Sequence, residues 1–214
     1  MRTVLRFNNR QSTQLPEEFR ADDVRFSSEF AEYFIDRYSK AGDIVFDPFA
    51  GYGTTLLAAE SLGRVPAGIE YDTRRAVYIH SVVRNPEHIL HGDSRRIASY
   101  DLPPFDFSLT SPPYMNKTDP QDPFTAYQDP GRGYAGYLED IQLIYAQMRP
   151  LMKAGARVVI EAANLKGSSG LTPLAWDIAA AISKVLVFEG EIVLEWDPTY
   201  GFGYDHSYAL IFSK

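Results

Sequence analysis

Short apolar runs alternate with stretches whose apolar positions fall at helical spacing along most of the chain. Phe30, Tyr33, Phe34 and Tyr38 recur every three or four residues behind Ser27 and Ser28, two good capping residues, and predict an amphipathic helix. The run DIVFD (43–47) then reads as a buried strand. Further strand-like runs stand at VPAGIE (65–70), HILHGD (88–93), FDFSLT (105–110), ARVVIE (156–161), KVLVFEGEIVLEW (184–196) and HSYALIFSK (206–214). Helical patterns separate them, most clearly at 137–152 and 174–185. Such alternation predicts an α/β fold: a mostly parallel, doubly wound sheet with helices on both faces. The last two runs leave no room for a crossover helix, so they should pair as an antiparallel hairpin. Counted this way the sheet has seven strands, a helix precedes the first of them, and residues 1–25 form an N-terminal extension. There is no internal repeat or Ser/Gly-rich linker, so residues 1–214 read as one domain. Residues 115–135, MNKTDPQDPFTAYQDPGRGYA, break the pattern with a long Pro/Gly/Asp-rich segment of a length that is usually functional.

At 45% hydrophobic and 23% charged, the 214 residues suffice for one sizeable core. No apolar run approaches 18 residues and the first residues lack a signal-peptide core, which predicts a soluble, cytoplasmic protein without a membrane contact. The absence of cysteine removes disulfides, zinc-thiolate sites and any cysteine nucleophile, and no metal is expected. A formal net charge of -7 argues against a protein that coats nucleic acid non-specifically, while leaving room for one local basic groove.

In an open α/β sheet, ligands bind beyond the carboxyl ends of the strands. After the first strand comes Asp47-Pro48-Phe49-Ala50-Gly51-Tyr52-Gly53-Thr54-Thr55, where Gly51 and Gly53 permit a tight turn close to a ligand and Thr54 can cap the next helix. After the second comes Glu70, 19 positions beyond Gly51, the spacing at which an acidic residue binds ribose hydroxyls. After the third comes Gly92-Asp93-Ser94, with a short acceptor for an adenine amine. After the fourth comes Ser111-Pro112-Pro113-Tyr114, which the two prolines make a stiff, extended turn. Each signal has a plain structural explanation: a connection, a solvated carboxylate, a helix cap, a rigid loop. Four of them at successive strand ends are far less common by chance than any one.

With those residues in view, DPFAGYGTT followed by TSPPY resembles the S-adenosylmethionine-dependent amino-methyltransferases of DNA, which methylate the exocyclic amine of cytosine or adenine. The resemblance extends over nearly the whole chain, including RFSSEFAEYFIDRYSKAGDIVFDPFAGYGTT and the closing YDHSYALIFSK. It implies a Rossmann-like class I methyltransferase fold with S-adenosyl-L-methionine as cofactor. By the same resemblance Asp47, Phe49, Gly51, Gly53 and Thr54 border the methionine moiety, Phe26 and Ser27 close that end, Glu70 holds the ribose, and Asp93 with Ser94 lies by the adenine. Ser111, Pro112, Pro113 and Tyr114 are the implied catalytic residues.

The chemistry gives that turn a purpose. An exocyclic amine is a poor nucleophile because its lone pair is delocalised into the ring, and two fixed acceptors facing its N–H bonds would pyramidalise it. The Ser111 hydroxyl and the Pro112 carbonyl would be those acceptors, and Tyr114 would stack on a base drawn out of its helix. Methylation at ring carbon 5 of cytosine normally needs a cysteine adduct, which this chain cannot form.

Serine at the first motif position is commoner among cytosine enzymes of the family, so DNA cytosine N4 is the expected target and adenine N6 the alternative. Family members that read a defined DNA site usually carry a separate recognition region, for which this chain has no room. Residues 115–135 and the aromatic turn WDPTYGFGYDH (196–206) are the candidate substrate-facing segments, with Lys117, Tyr127, Arg132, Tyr134 and Tyr200 to contact a strand by charge and stacking. A single-stranded target, a partner subunit that reads sequence, or an RNA substrate each fit. A small-molecule N-methyltransferase and a binding-only relative are the readings from other classes.

Overall fold

The alternation of strand and helix builds one large sheet in the computed structural model, which describes residues 3–8, 11, 13–167, 170–197 and 205–214. Its strands are β1 (Val4–Asn8), β2 (Ile44–Asp47), β3 (Val65–Glu70), β4 (His88–His91), β5 (Phe105–Thr110), β6 (Met152–Ala162), β9 (Val187–Asp197) and β10 (His206–Ser213), in the order β1-β9-β10-β6-β5-β2-β3-β4. β10 runs antiparallel to β6 and β9, and the other pairings are parallel. A short hairpin of β7 (Leu165–Gly167) and β8 (Gly170–Thr172) stands apart, and no periodicity announced it.

The helices are α1 (Ser28–Tyr38), α2 (Thr54–Ser61), α3 (Thr73–Val82), α4 (Gly133–Met148) and α5 (Leu174–Ile182). Strand side chains alternate between two cores, as the period of two requires. Val158, Ile160, Leu210 and Phe212 face α4 and α5, whereas Val159, Ala209 and Ile211 join Phe30, Phe34 and Ile35 of α1 on the opposite face. Ser27 caps α1: its Oγ accepts a hydrogen bond from the Phe30 amide at 3.2 Å. Pro150 cannot continue α4, so the chain passes through a 3-10 turn at Arg149–Leu151 and enters β6 four residues before the apolar run begins.

The sheet has eight strands, one more than the periodicity predicts, because residues 4–8 are not part of a loose extension. They pair in parallel with Val193–Asp197, so a strand and not a helix comes first. Phe7 holds them there: its ring lies 5.8 Å from Phe30, 5.6 Å from Tyr33 and 6.0 Å from Trp196, and burying such a side chain contributes about 1.5–3 kcal/mol.

Candidate active site

The carboxyl ends of β2, β3, β4 and β5, parallel neighbours in the sheet, bring the four predicted signals to one edge of it. Gly51 (φ 56) and Gly53 (φ 83) turn the chain out of β2 with left-handed backbone that other residues rarely adopt. Gly53, not Thr54, takes the capping position of α2. The Thr54 hydroxyl is buried with no hydrogen-bond partner among the described residues, and the residue borders a cavity of about 210 Å³ with Arg25, Ser28, Glu32, Leu57 and Ser61. Phe26 and Ser27 sit at the start of α1, beside that cavity's Arg25 and Ser28, with the Phe26 ring 5.2 Å from Phe30.

Asp47 joins the two motifs. Its buried carboxylate accepts from the Phe49 amide at 2.9 Å and from the Thr110 hydroxyl at 2.6 Å, tying the glycine turn to the residue before Ser111. Burial pushes this carboxyl up to about 6, against the hydrogen bonds from Thr110, Phe49 and Thr55. Glu70 accepts from the Gly51 amide at 2.7 Å and the Asp72 amide at 2.8 Å, one on each oxygen. Burial pushes it up to about 7, opposed by the Asp72 amide, the Arg75 charge and the Gly51 amide. Each oxygen keeps a lone pair for a further donor.

Asp93 caps the 3-10 turn Ser94–Ser99 and is gripped by Arg95, whose Nη2 lies 2.7 Å from Oδ2. The Ser94 hydroxyl is spent on the Pro48 carbonyl, bracing the glycine turn. Arg95 also reaches Asp122 at 2.7 Å and Asp140 at 3.6 Å, so residues 115–135 are fastened to the rest of the site. The segment has its own hydrogen bonds, Asp122 N to Asp129 O at 2.8 Å and Gly131 N to Pro120 O at 2.8 Å. Arg95→Ala should therefore accelerate amide exchange at Asp122 and Gly131 severalfold while leaving α5 unchanged, as hydrogen-exchange mass spectrometry would register.

Four rings run from the glycine turn to α4: Phe49, Phe124, Tyr137 and Tyr134, at successive separations of 5.7, 5.2 and 6.0 Å. This stack presses on the Ser-Pro-Pro-Tyr turn. The Tyr137 hydroxyl donates to the Pro113 carbonyl at 3.1 Å and the Tyr127 hydroxyl to the Tyr114 carbonyl at 2.7 Å. Ala126 (φ 52) and Tyr127 (φ 61) both hold left-handed backbone without being glycine, a strain that accompanies functional positions.

Beneath the turn, the Ser111 hydroxyl and the Tyr114 hydroxyl each donate at 2.9 Å to the same oxygen of Glu161 on β6, and the Ala163 amide donates to the Tyr114 oxygen at 3.0 Å. Glu161 is 1% exposed. Reading by motif misses it, although a charged residue ending the apolar run VVIE was a signal of the same kind as Glu70.

The predicted strand-contacting residues divide. Tyr127 is on the surface beside Tyr114, and Lys117 lies 5.9 Å over the Tyr134 ring. Tyr134 is half-buried and donates to Asp177 at 2.9 Å. Arg132 turns back onto α4, 2.6 Å from Asp140 and 3.2 Å from Glu139. Tyr200 lies outside the described residues. Among those described, no group of acidic or histidine side chains is arranged to hold a metal ion, and no helix is long and apolar enough to cross a membrane.

A family model described as DNA methylase matches residues 4–80, which hold β1, α1, the glycine turn and Glu70. The type II methyltransferase M.MjaII of Methanocaldococcus jannaschii is 41% identical over 46 residues, a segment that is 22% of this chain and 9% of that protein. Among solved structures, TrmN from Thermus thermophilus superposes with a TM-score of 0.58 at 18% identity, over 95% of this chain and 55% of its own. A TehB-like S-adenosylmethionine-dependent methyltransferase from Corynebacterium glutamicum gives 0.56 at 14% identity, over 92% of both chains. Fibrillarin from Aeropyrum pernix, solved with natively bound S-adenosyl-L-methionine, gives 0.54 at 16% identity over 86% of this chain and 74% of its own. The chain thus has the Rossmann-like fold of class I S-adenosylmethionine-dependent methyltransferases, and its residues 4–80 match the DNA methylase family.

Proposed function

We propose that the protein binds S-adenosylmethionine and methylates the exocyclic amine of a nucleic-acid base, with the N4 amine of cytosine in DNA as the preferred acceptor. One observation carries the reading. At the end of β5 the carbonyls of Pro113 and Tyr114 are occupied by Tyr137 and Tyr127, whereas the Pro112 carbonyl accepts no hydrogen bond from the described residues. Together with the Ser111 oxygen it supplies two rigid acceptors for the two N–H bonds of an amine.

The residues present suit the cofactor. A side chain at Gly51 would meet only the Phe49 carbonyl, at 3.8 Å, so the space beside this turn is open. Glu70 would take the ribose hydroxyls on its remaining lone pairs, and the Thr54 hydroxyl at the head of α2 has its donor and acceptor unspent among the described residues. When bound, S-adenosylmethionine supplies an electrophilic methyl group. The chain's part is to hold the base: Tyr114 stacks against it, and Ser111 and Pro112 pyramidalise its amine and face the positive charge that develops there.

Tyr114 is fixed by its hydroxyl as well as its ring. Tyr114→Ala should weaken substrate binding by about 1–3 kcal/mol while cofactor affinity stays within about twofold, measured by KM and calorimetry. Tyr114→Phe keeps the platform and should retain most of that affinity. Unchanged substrate affinity in Tyr114→Ala would remove this ring from the site.

Because Arg95 and Arg132 are paired inside the chain, the described rim offers little uncommitted positive charge for a duplex backbone. A strand with an already unpaired base, or a partner subunit that reads sequence, meets that condition, since extrusion from a duplex costs a few kcal/mol. The deciding experiment is incubation with labelled S-adenosylmethionine and either DNA or RNA, followed by mass analysis of nucleosides. N4-methylcytosine in DNA is the expected product. N6-methyladenine would move the target to the other amine, and label in no nucleoside would overturn the function.

A further inference from the structure

The geometry points to Glu161 as the residue that sets the direction of the Ser111 hydroxyl and receives, through it, the proton the methylated amine must lose. This rests on the function proposed above and adds a residue to it. A carboxylate only accepts hydrogen bonds, so the single protons of both the Ser111 and the Tyr114 hydroxyls point at Glu161 Oε2, each across 2.9 Å. Ser111 therefore turns lone pairs, and no proton, toward an incoming amine. A hydroxyl free to rotate would donate to the amine lone pair as readily as accept from its N–H, and would quench the nucleophile.

The placement of Glu161 is specific to this task. It is 1% exposed, in a strand whose neighbours Val158, Val159, Ile160 and Ala162 are apolar core. Packing alone would favour an apolar side chain there, since a buried carboxylate is costly to desolvate. The Tyr114 oxygen is fixed from the other side by the Ala163 amide at 3.0 Å, so one carboxylate aligns both the acceptor and the base platform.

The step balances. The amine nitrogen forms the N–CH₃ bond with its lone pair as the S–CH₃ bond of a methylsulfonium donor breaks, the electron pair going to sulfur and leaving a neutral thioether. The nitrogen, now cationic, gives one proton to Ser111 Oγ and keeps the N–H pair. Ser111 passes its own proton to Glu161, which ends as a neutral carboxylic acid. One positive and one negative charge are consumed together, so the step itself adds no charge to the site. Glu161 is a positioning residue and a proton acceptor that acts through Ser111, without touching the substrate itself.

A double-mutant cycle tests this, with labelled S-adenosylmethionine and single-stranded DNA containing cytosine as substrate. Glu161→Gln, which keeps an acceptor but not the basic carboxylate, should lower kcat on the order of tenfold while both KM values stay within about twofold. In a Ser111→Ala background the same replacement should cost less than about twofold, because the relay is already broken. Wild-type turnover in Glu161→Gln, or an equal loss in both backgrounds, would reduce Glu161 to a structural strut. If Glu161→Gln fails to fold, Glu161→Asp enters the same cycle: a loss that disappears in Ser111→Ala supports the relay, and a loss that persists overturns it. A wild-type protein that labels no base overturns the proposed function and this role together, whereas an active one indifferent to Glu161 overturns this role alone.

Discussion

Ser111→Ala should lower kcat on the order of a hundredfold with little change in KM, the loss expected when one preorganised electrostatic partner is removed from a developing charge. The structure sharpens the reason. Ser111 is held in place by Glu161, at the end of a strand whose last residue is tied through Asp47 to the glycine turn. The hydroxyl thus keeps its position in the absence of substrate and pays no reorganisation cost when the methyl group moves. Ser111→Asp restores an acceptor, but places a second carboxylate beside Glu161. It should recover part of the activity and do best at low pH, where one proton shared by the two carboxyls relieves their repulsion. Single-turnover rates measured across pH would show this. A Ser111→Ala protein that turned over at the wild-type rate would make the hydroxyl a brace on a stiff turn and no more.

Glu70→Ala should weaken cofactor binding by roughly 1.5–3 kcal/mol through lost charge-assisted hydrogen bonds, as calorimetry would measure. It should also destabilise the protein, because the Gly51 and Asp72 amides both end on this carboxylate. Leaving a buried donor without a partner costs about 1–3 kcal/mol, and in a chain of this size each kcal/mol lowers Tm by about 2–4 °C. The two effects depend on pH in opposite directions. Burial raises the carboxyl from its ordinary 4.5 to about 7, so the ionised form is the costly one for the fold. The part of Glu70's stability that is linked to its ionisation is present below about 4.5 and is lost as the pH rises through about 7. Cofactor affinity should instead rise as the pH rises toward about 7 and then level, since the ionised carboxylate is the stronger acceptor for ribose hydroxyls. Asp47 titrates near 6 in the same neighbourhood, so Glu70→Gln is the control that separates them. A wild-type slope no steeper than that of Glu70→Gln would detach Glu70 from the ribose.

How far the site was legible depends on where each residue's partner lies. Gly51 and Gly53 act through their own backbone, and the turn they predict is the turn observed. Glu70 and Asp93 were visible because strand ends converge in this class of sheet. Their spacing showed the convergence and could not show the partners: two amides for one, Arg95 for the other. Arg132 looked available for a phosphate until α4 supplied Asp140. Glu161 carried a weak signal, a charge among valines and isoleucine, which acquires meaning only when β6 lies against β5 and sets it under Ser111.

The sequence by itself determined the α/β alternation, the terminal antiparallel hairpin and the glycine turn, because periodicity and φ restriction act over a few residues. Tertiary structure alone decided the eighth strand, the Asp47–Thr110 link, the aromatic stack through Phe124 and the carboxylate shared by Ser111 and Tyr114. Each of these joins residues distant along the chain, and a side chain's protons and charge acquire a direction only when the distant partner is packed against it.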